Sequence, residues 1–187
     1  MNKTFIIEHL EKKLWPWCLI EYKHMSKIVG KNNLWFTNIK NKSEIKKLKS
    51  YGKVFSCSVL DLKIKKACIL DQESSETLSK RNSKRFDYFI FGGILGDNPP
   101  RKRTREDLTQ HLKAKAFNIG KKQMSTDNAV FVVHEITKGR DIKDIKFKDK
   151  IEIRINKIES TILPYRYALV ENKHLLSPSL ISFLKKH

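Results

Sequence analysis

Apolar residues along this chain fall into short runs, and the runs alternate with stretches of helical spacing. Residues 5–7, 34–37, 67–70 and 86–91 are brief, apolar and bounded by charge, turn residues or glycine. Runs of that kind predict buried strands and are too short for helices. Between them, Pro16 opens a stretch in which Cys18, Tyr22, Met25 and Val29 recur at three-to-four spacing, and Gly30 ends it. That is an amphipathic helix with its start and stop in place. Residues 43–52 predict a shorter one, with Ile45 and Leu48 inward and Lys46, Lys47 and Lys49 outward. Ser125 or Thr126 caps another, running toward Gly139 with Ala129, Val132, Val133 and Ile136 as its inward stripe.

The remaining segments are less regular. Residues 72–85 are polar and aperiodic, which predicts a mobile surface loop. Thr104 and Asp107 make a capping-box-like start to a brief helix carrying Leu108 and Leu112, and residues 117–124 read as a strand-like piece. Ile151, Ile153 and Ile155 alternate with Glu152 and Arg154, as in a half-exposed strand, and residues 165–170 predict another. Ser177 and Pro178 start a terminal helix. Alternation of strand and helix predicts an α/β fold, a parallel sheet with helices on both faces over residues 1–140. Residues 141–187 are then a small, partly antiparallel carboxyl-terminal extension packed on the same domain.

The chain is organised around residues 86–104, FDYFIFGGILGDNPPRKRT. A buried strand there opens onto Gly92, Gly93 and Gly96, with Asp97 behind them. Loops at the carboxyl ends of strands in open α/β sheets are where ligands bind, although glycines so spaced also make plain tight turns. The Walker A pattern and the dinucleotide fingerprint are both missing, and Pro99–Pro100 forbids a helix start that would seat a phosphate. A glycine-edged pocket without phosphate machinery suits an adenosine-like ligand held by backbone groups and apolar walls. Glu8, His9 and Glu11 end the first strand, where carboxylates are site candidates as well as ordinary solvated groups.

Charge and cysteine usage narrow the setting. A length of 187 residues with 40% hydrophobic residues supports one globular domain. The net charge of +19 points to work near nucleic acid or ribosomes, but most of it comes from scattered Lys. The lysine face at residues 46–49 is either solvated or an RNA contact. Cys18, Cys57 and Cys68 form no CxxC, and charges interrupt the amino-terminal stretch. No membrane is implied, and a reducing, cytoplasmic setting follows. The six histidines show no ligand spacing, so no metal is expected.

Several segments carry a resemblance. The first glycine loop, followed by IGKKQMSTDNAV at residues 119–130, is similar to the two cofactor loops of SPOUT-class methyltransferases. With IIEH at residues 6–9 and PYRY at 164–167, the chain resembles the SPOUT-type protein arginine methyltransferases of fungi. Asn128 departs from the usual Thr of the second loop. The resemblance implies a trefoil-knotted cofactor region and S-adenosylmethionine as cofactor, with S-adenosylhomocysteine as product. It implies cofactor contacts from Leu70, Phe91, Gly92, Gly93, Ile94, Leu95, Gly96 and Asp97 in the first half of the site. Ile119, Gly120, Lys122, Gln123, Met124, Thr126 and Asp127 complete the set, Asp127 as a carboxylate favoured by the helix dipole. The expected acceptor is an arginine of a small-subunit ribosomal protein or nascent subunit, and a monomer is expected over a knot-mediated dimer.

Methyl transfer to arginine needs a carboxylate to align the guanidinium and take its proton. Glu8, Glu11 and Asp97 are the expected catalytic groups. His9, Arg101, Arg103, Tyr165 and Tyr167 are expected around the substrate. An RNA methyltransferase of the same fold is the alternative, and a non-catalytic RNA-binding assembly factor is a third reading.

Overall fold

The computed structural model describes residues 3–96 and 102–186. Its centre is a six-stranded sheet of β1 (Thr4–His9), β2 (Leu34–Thr37), β3 (Lys53–Val54), β4 (Ala67–Leu70), β5 (Tyr88–Gly93) and β6 (Lys115–Phe117), in the order β3-β2-β1-β5-β4-β6. Every pairing in it is parallel. Strands β2 and β4 run as their apolar runs predict, whereas β3, too short to leave a pattern, was not visible in the sequence.

The pleat of β1 sorts its residues by face. Phe5 and Ile7 join the larger core cluster with Tyr22, Met25, Phe36 and Phe89, under helices α1 (Pro16–Val29) and α4 (Thr126–Thr137). Ile6 faces the other way and packs with Val59, Ile69, Ile90 and Leu108. That second face is covered by single turns of helix at Val59–Asp61 and Arg105–Thr109. In chain order α2 (Lys42–Leu48) and α3 (Lys80–Ser83) fall between α1 and α4. Helix α1 begins at the expected proline and stops at Gly30, whose φ of 80° is the left-handed turn that glycine adopts without strain.

Three expectations need correction. Gly92 and Gly93 are the last residues of β5, paired with Glu8 and His9, so the loop begins only after them. At Gly93 a Cβ would lie 2.8 Å from Ile7 Cγ2, so its lack of a side chain serves sheet-to-helix packing. Residues 117–124 are strand only as far as Phe117; the stretch beyond is loop.

The third concerns residues 72–85, expected to be a mobile surface loop. Leu78 is fully buried there, Ser74 and Ser83 are buried, and Ser79 with Asn82 closes a capping box at the start of α3. This segment is laid over the exit of β6 and tied to it through Asn118. The Asn118 N–H donates to the Glu76 carbonyl at 2.7 Å, and Leu78 N–H donates to the Asn118 carbonyl at 2.8 Å. The Asn118 carboxamide donates to the carbonyls of Ser74 (2.8 Å) and Glu76 (3.1 Å). It accepts from the Thr77 hydroxyl and the Gly120 N–H, both at 3.0 Å. A loop laid over a chain that passes beneath it is the crossing a knotted cofactor region requires.

The last residues form an antiparallel sheet of β7 (Phe147–Arg154), β8 (Ser160–Val170) and β9 (Lys173–His174), followed by α5 (Pro178–Leu184). Asn128, the departure noted in the second loop, is fully buried and joins this sheet to α4. Its oxygen accepts from Ala168 N–H at 2.9 Å and its nitrogen donates to the Leu175 carbonyl at 3.1 Å. No helix among the described residues is long and apolar enough to cross a membrane.

Asn118→Ala would remove four side-chain hydrogen bonds; the Ser74 and Glu76 carbonyls keep Lys121 Nζ and the residue 118 N–H, while the Gly120 N–H and the Thr77 hydroxyl lose these partners, a net cost of about 1–3 kcal/mol. The expected result is a lowered urea midpoint with an unchanged slope, read by circular dichroism.

Candidate active site

Strands β5, β4 and β6 are neighbours, and their carboxyl ends open into one cavity of about 480 Å³. The end of β4 contributes Leu70, Asp71, Gln72 and Glu73. From β5 come Phe91, Gly92, Ile94, Leu95 and Gly96, and from β6 onward Ile119, Gly120, Lys122, Gln123, Met124 and Thr126. The opposite wall is made by Trp17 and Glu21 of α1, residues 161–165 of β8 and Leu184 of α5. Most of the expected cofactor residues are therefore brought together. Two are not. Gly93 faces the core, and Asp127 is buried away from the cavity.

Asp127 instead organises the start of α4. One of its oxygens accepts from Ser125 Oγ (2.6 Å) and Asn128 N–H (2.8 Å), and the other meets His24 Nδ1 at 2.6 Å. This agrees with a carboxylate held at the positive end of a helix. It also pins α4 to α1 beneath the second loop.

The expected catalytic and substrate residues fare differently. Glu8 follows Ile6 by two positions and shares its face, away from α1. Its carboxylate accepts from Thr37 Oγ1, from Ser58 Oγ at 2.6 Å and from Val59 N–H at 2.9 Å. All of these lie outside the cavity, so Glu8 holds a neighbouring turn in place. Glu11 is also outside it, accepting from Arg103 Nη1 at 2.8 Å and from Leu95 N–H at 3.1 Å. Arg103 donates in addition to the Leu10 carbonyl at 3.0 Å. Glu11 and Arg103 thus brace the first loop from behind. His9 is buried with Nδ1 2.9 Å from the Tyr22 hydroxyl, and burial holds its pKa below 6.5.

Tyr167 is buried in the extension, with burial pushing its hydroxyl pKa up, and does not line the cavity. Tyr165 does line it, and donates to the Gly96 carbonyl at 2.5 Å. A Cβ on Gly96 would come within 2.8 Å of the Tyr165 ring, so glycine is needed for this approach. Asp97, Asn98, Pro99, Pro100 and Arg101 lie outside the described residues.

Sequence reasoning missed the carboxylates that do line the cavity. Asp71 follows directly on β4, a position the strand-end rule makes available. It is buried; Oδ1 accepts from Glu73 N–H at 2.9 Å, while Oδ2 has no partner. Glu73 is exposed and paired with Lys102 at 2.8 Å on the rim. Glu21 left no signal beyond a polar residue beside an apolar stripe. It is 7% exposed and accepts from Trp17 Nε1 at 2.8 Å. Burial and the charge of Asp127 push Glu21 well above the usual carboxylate range, against the pull of the Trp17 and Thr126 N–H groups. The second loop is anchored outside by Asp149, which accepts from Arg166 and Lys122 at 2.6 Å each; both hold its pKa far below the ordinary value.

A parallel sheet opening onto two glycine-bearing loops, one passing beneath a crossing segment, is the SPOUT class of α/β fold. The dual-specific Trm10 of Thermococcus kodakaraensis shares it, with a TM-score of 0.63, 16% identity, and coverage of 76% of this chain and 96% of that one. Within the class the match is specific. Residues 4–187 match the family model "Protein arginine N-methyltransferase SFM1-like". Protein arginine N-methyltransferase SFM1 of Saccharomyces cerevisiae is 35% identical over 201 residues, covering 97% of this chain and 94% of its own. The structure of the yeast enzyme complexed with S-adenosylmethionine superposes with a TM-score of 0.91 at 33% identity, covering all of this chain and 91% of that one. The chain belongs to the SFM1-like protein arginine N-methyltransferases.

Because Glu8 serves the fold, Glu8→Gln should lower stability by about 1–3 kcal/mol, the cost of an unsatisfied buried group. Turnover of the folded protein should stay near the parent value. A steady-state assay well below the variant's melting temperature checks this.

Proposed function

We propose that this protein transfers a methyl group from S-adenosylmethionine to an arginine side chain of a small-subunit ribosomal protein in the cytoplasm, releasing S-adenosylhomocysteine. The observation that carries the reading is the cavity: apolar walls, two glycine-bearing loops and buried carboxylates.

The residues fit the cofactor. Leu70, Phe91, Phe117 and Ile119 offer apolar surface to a nucleobase, and glycine backbone at residues 92, 96 and 120 permits close approach. The unpartnered Oδ2 of Asp71 sits between the two loops, where ribose hydroxyls would satisfy it. When bound, the cofactor supplies a methyl carbon on a positively charged sulfur. The protein's part is to hold the acceptor nitrogen in line, exclude water and receive the proton the acceptor sheds. A guanidinium with a pKa above about 12 gives up no proton unaided.

The exposed Lys46 and Lys47 on α2 and Lys49 just after it support an acceptor presented beside ribosomal RNA, as on a nascent small subunit, with the enzyme acting as a monomer. An RNA acceptor is the competing outcome of the test. Small ribosomal subunits from cells lacking this protein, incubated with methyl-labelled S-adenosylmethionine, should incorporate label that survives ribonuclease. Acid hydrolysis should return it as methylarginine. Label confined to RNA would overturn the proposal.

A further inference from the structure

We infer that Glu21 is the catalytic carboxylate that receives the acceptor guanidinium and takes its proton; the inference rests on the arginine reading above. Among the described residues the cavity is lined by the carboxyl groups of Asp71, Glu73 and Glu21. Glu73 is exposed and already neutralised by Lys102 at 2.8 Å. Asp71 lies on the floor between the two cofactor loops, where it is placed for the cofactor rather than the acceptor. Glu21 is on the facing wall, beside residues 161–165 of β8, and is left for whatever enters over the cofactor.

Its surroundings are built for a cation that is not part of the chain. Trp17 Nε1–H fixes one oxygen at 2.8 Å, and the Trp17 ring is itself set edge-on against Phe183 at 6.4 Å. No Lys or Arg among the described residues forms an ion pair with Glu21. The titratable groups facing it are Asp127 from α4, Tyr167 from β8, and Cys18 and Tyr22 on its own helix. None of these supplies positive charge. A carboxyl buried among such neighbours resists ionisation unless a cation arrives to pair with it. An arginine side chain entering the cavity brings that cation in a fork that matches a carboxylate.

The chemistry balances. The acceptor nitrogen bonds to the methyl carbon as the carbon–sulfur bond breaks, with that electron pair staying on sulfur. The proton lost from the same nitrogen goes to the Glu21 carboxylate, so a methylguanidinium, a neutral thioether and a neutral carboxylic acid result. A base whose proton affinity is raised by burial is a better receiver than an exposed one.

The test uses two ligands and the Glu21→Gln variant, whose amide oxygen still accepts from Trp17. One ligand is S-adenosylhomocysteine. The other is adenosine joined at its 5′ carbon to an alkylguanidine. Calorimetry should show unchanged affinity for the first and at least about a tenfold loss for the second, the scale of a lost charged hydrogen bond. Transfer to arginine should fall by about 100- to 10,000-fold. Glu21→Asp keeps the charge and should recover part of the conjugate's affinity, which a purely structural role would not produce. Equal weakening of both ligands, or of neither, overturns the inference. Wild-type protein that labels arginine while Glu21→Gln does so equally removes this inference alone. Wild-type protein that labels only RNA removes the proposed function, and the inference with it.

Discussion

The carboxamide of Asn118 uses its full hydrogen-bonding capacity inside the protein: two bonds donated to the 74–76 segment, one accepted from Thr77 and one from Gly120. One planar group therefore sets the separation of the crossing segment from β6 and the direction in which the second loop leaves. Asp71 begins the crossing segment, and Gly120 begins the loop. The two sides of the cofactor seat are thus placed relative to each other by one buried side chain.

The larger architecture was legible in the sequence because it depends on period and punctuation. The ends of α1, β2 and β4 follow from a proline, a glycine and short apolar runs. What was not legible depends on contacts between distant segments. Polar residues 72–85 look mobile because their partner, Asn118, is far away in the chain. Carboxylates at the end of β1 look catalytic because strand ends bind ligands, yet the pleat turns Glu8 toward Ser58 and Val59. Glu21 looks like the polar edge of an amphipathic helix until α4 and the carboxyl-terminal sheet close over it. The glycine loops were readable for the opposite reason, since close backbone approach restricts which residue can stand there.

A chain of net charge +19 that accepts a cationic side chain works on two length scales. Beyond roughly 8 Å, salt at physiological strength screens the lysine-rich surface. Inside the cavity the carboxyls of Asp71 and Glu21 are shielded from that salt and dominate locally. Lys102 and Lys122 on its lining are each committed to a carboxylate, Glu73 and Asp149. Arg105, the third cation on the lining among the described residues, turns one guanidinium nitrogen to the Glu73 carbonyl at 3.4 Å.

Tyr165 belongs to the carboxyl-terminal sheet, and its hydroxyl rests on the carbonyl of Gly96 in the first loop. The same sheet holds the second loop through Arg166 N–H on the Gln123 carbonyl, at 2.8 Å. A ligand between the loops therefore makes contact with both ends of a clamp whose hinge is β8. By linkage, whatever free energy that ligand gains on binding is shared by the clamp, so β8 is expected to be most rigid when the site is full.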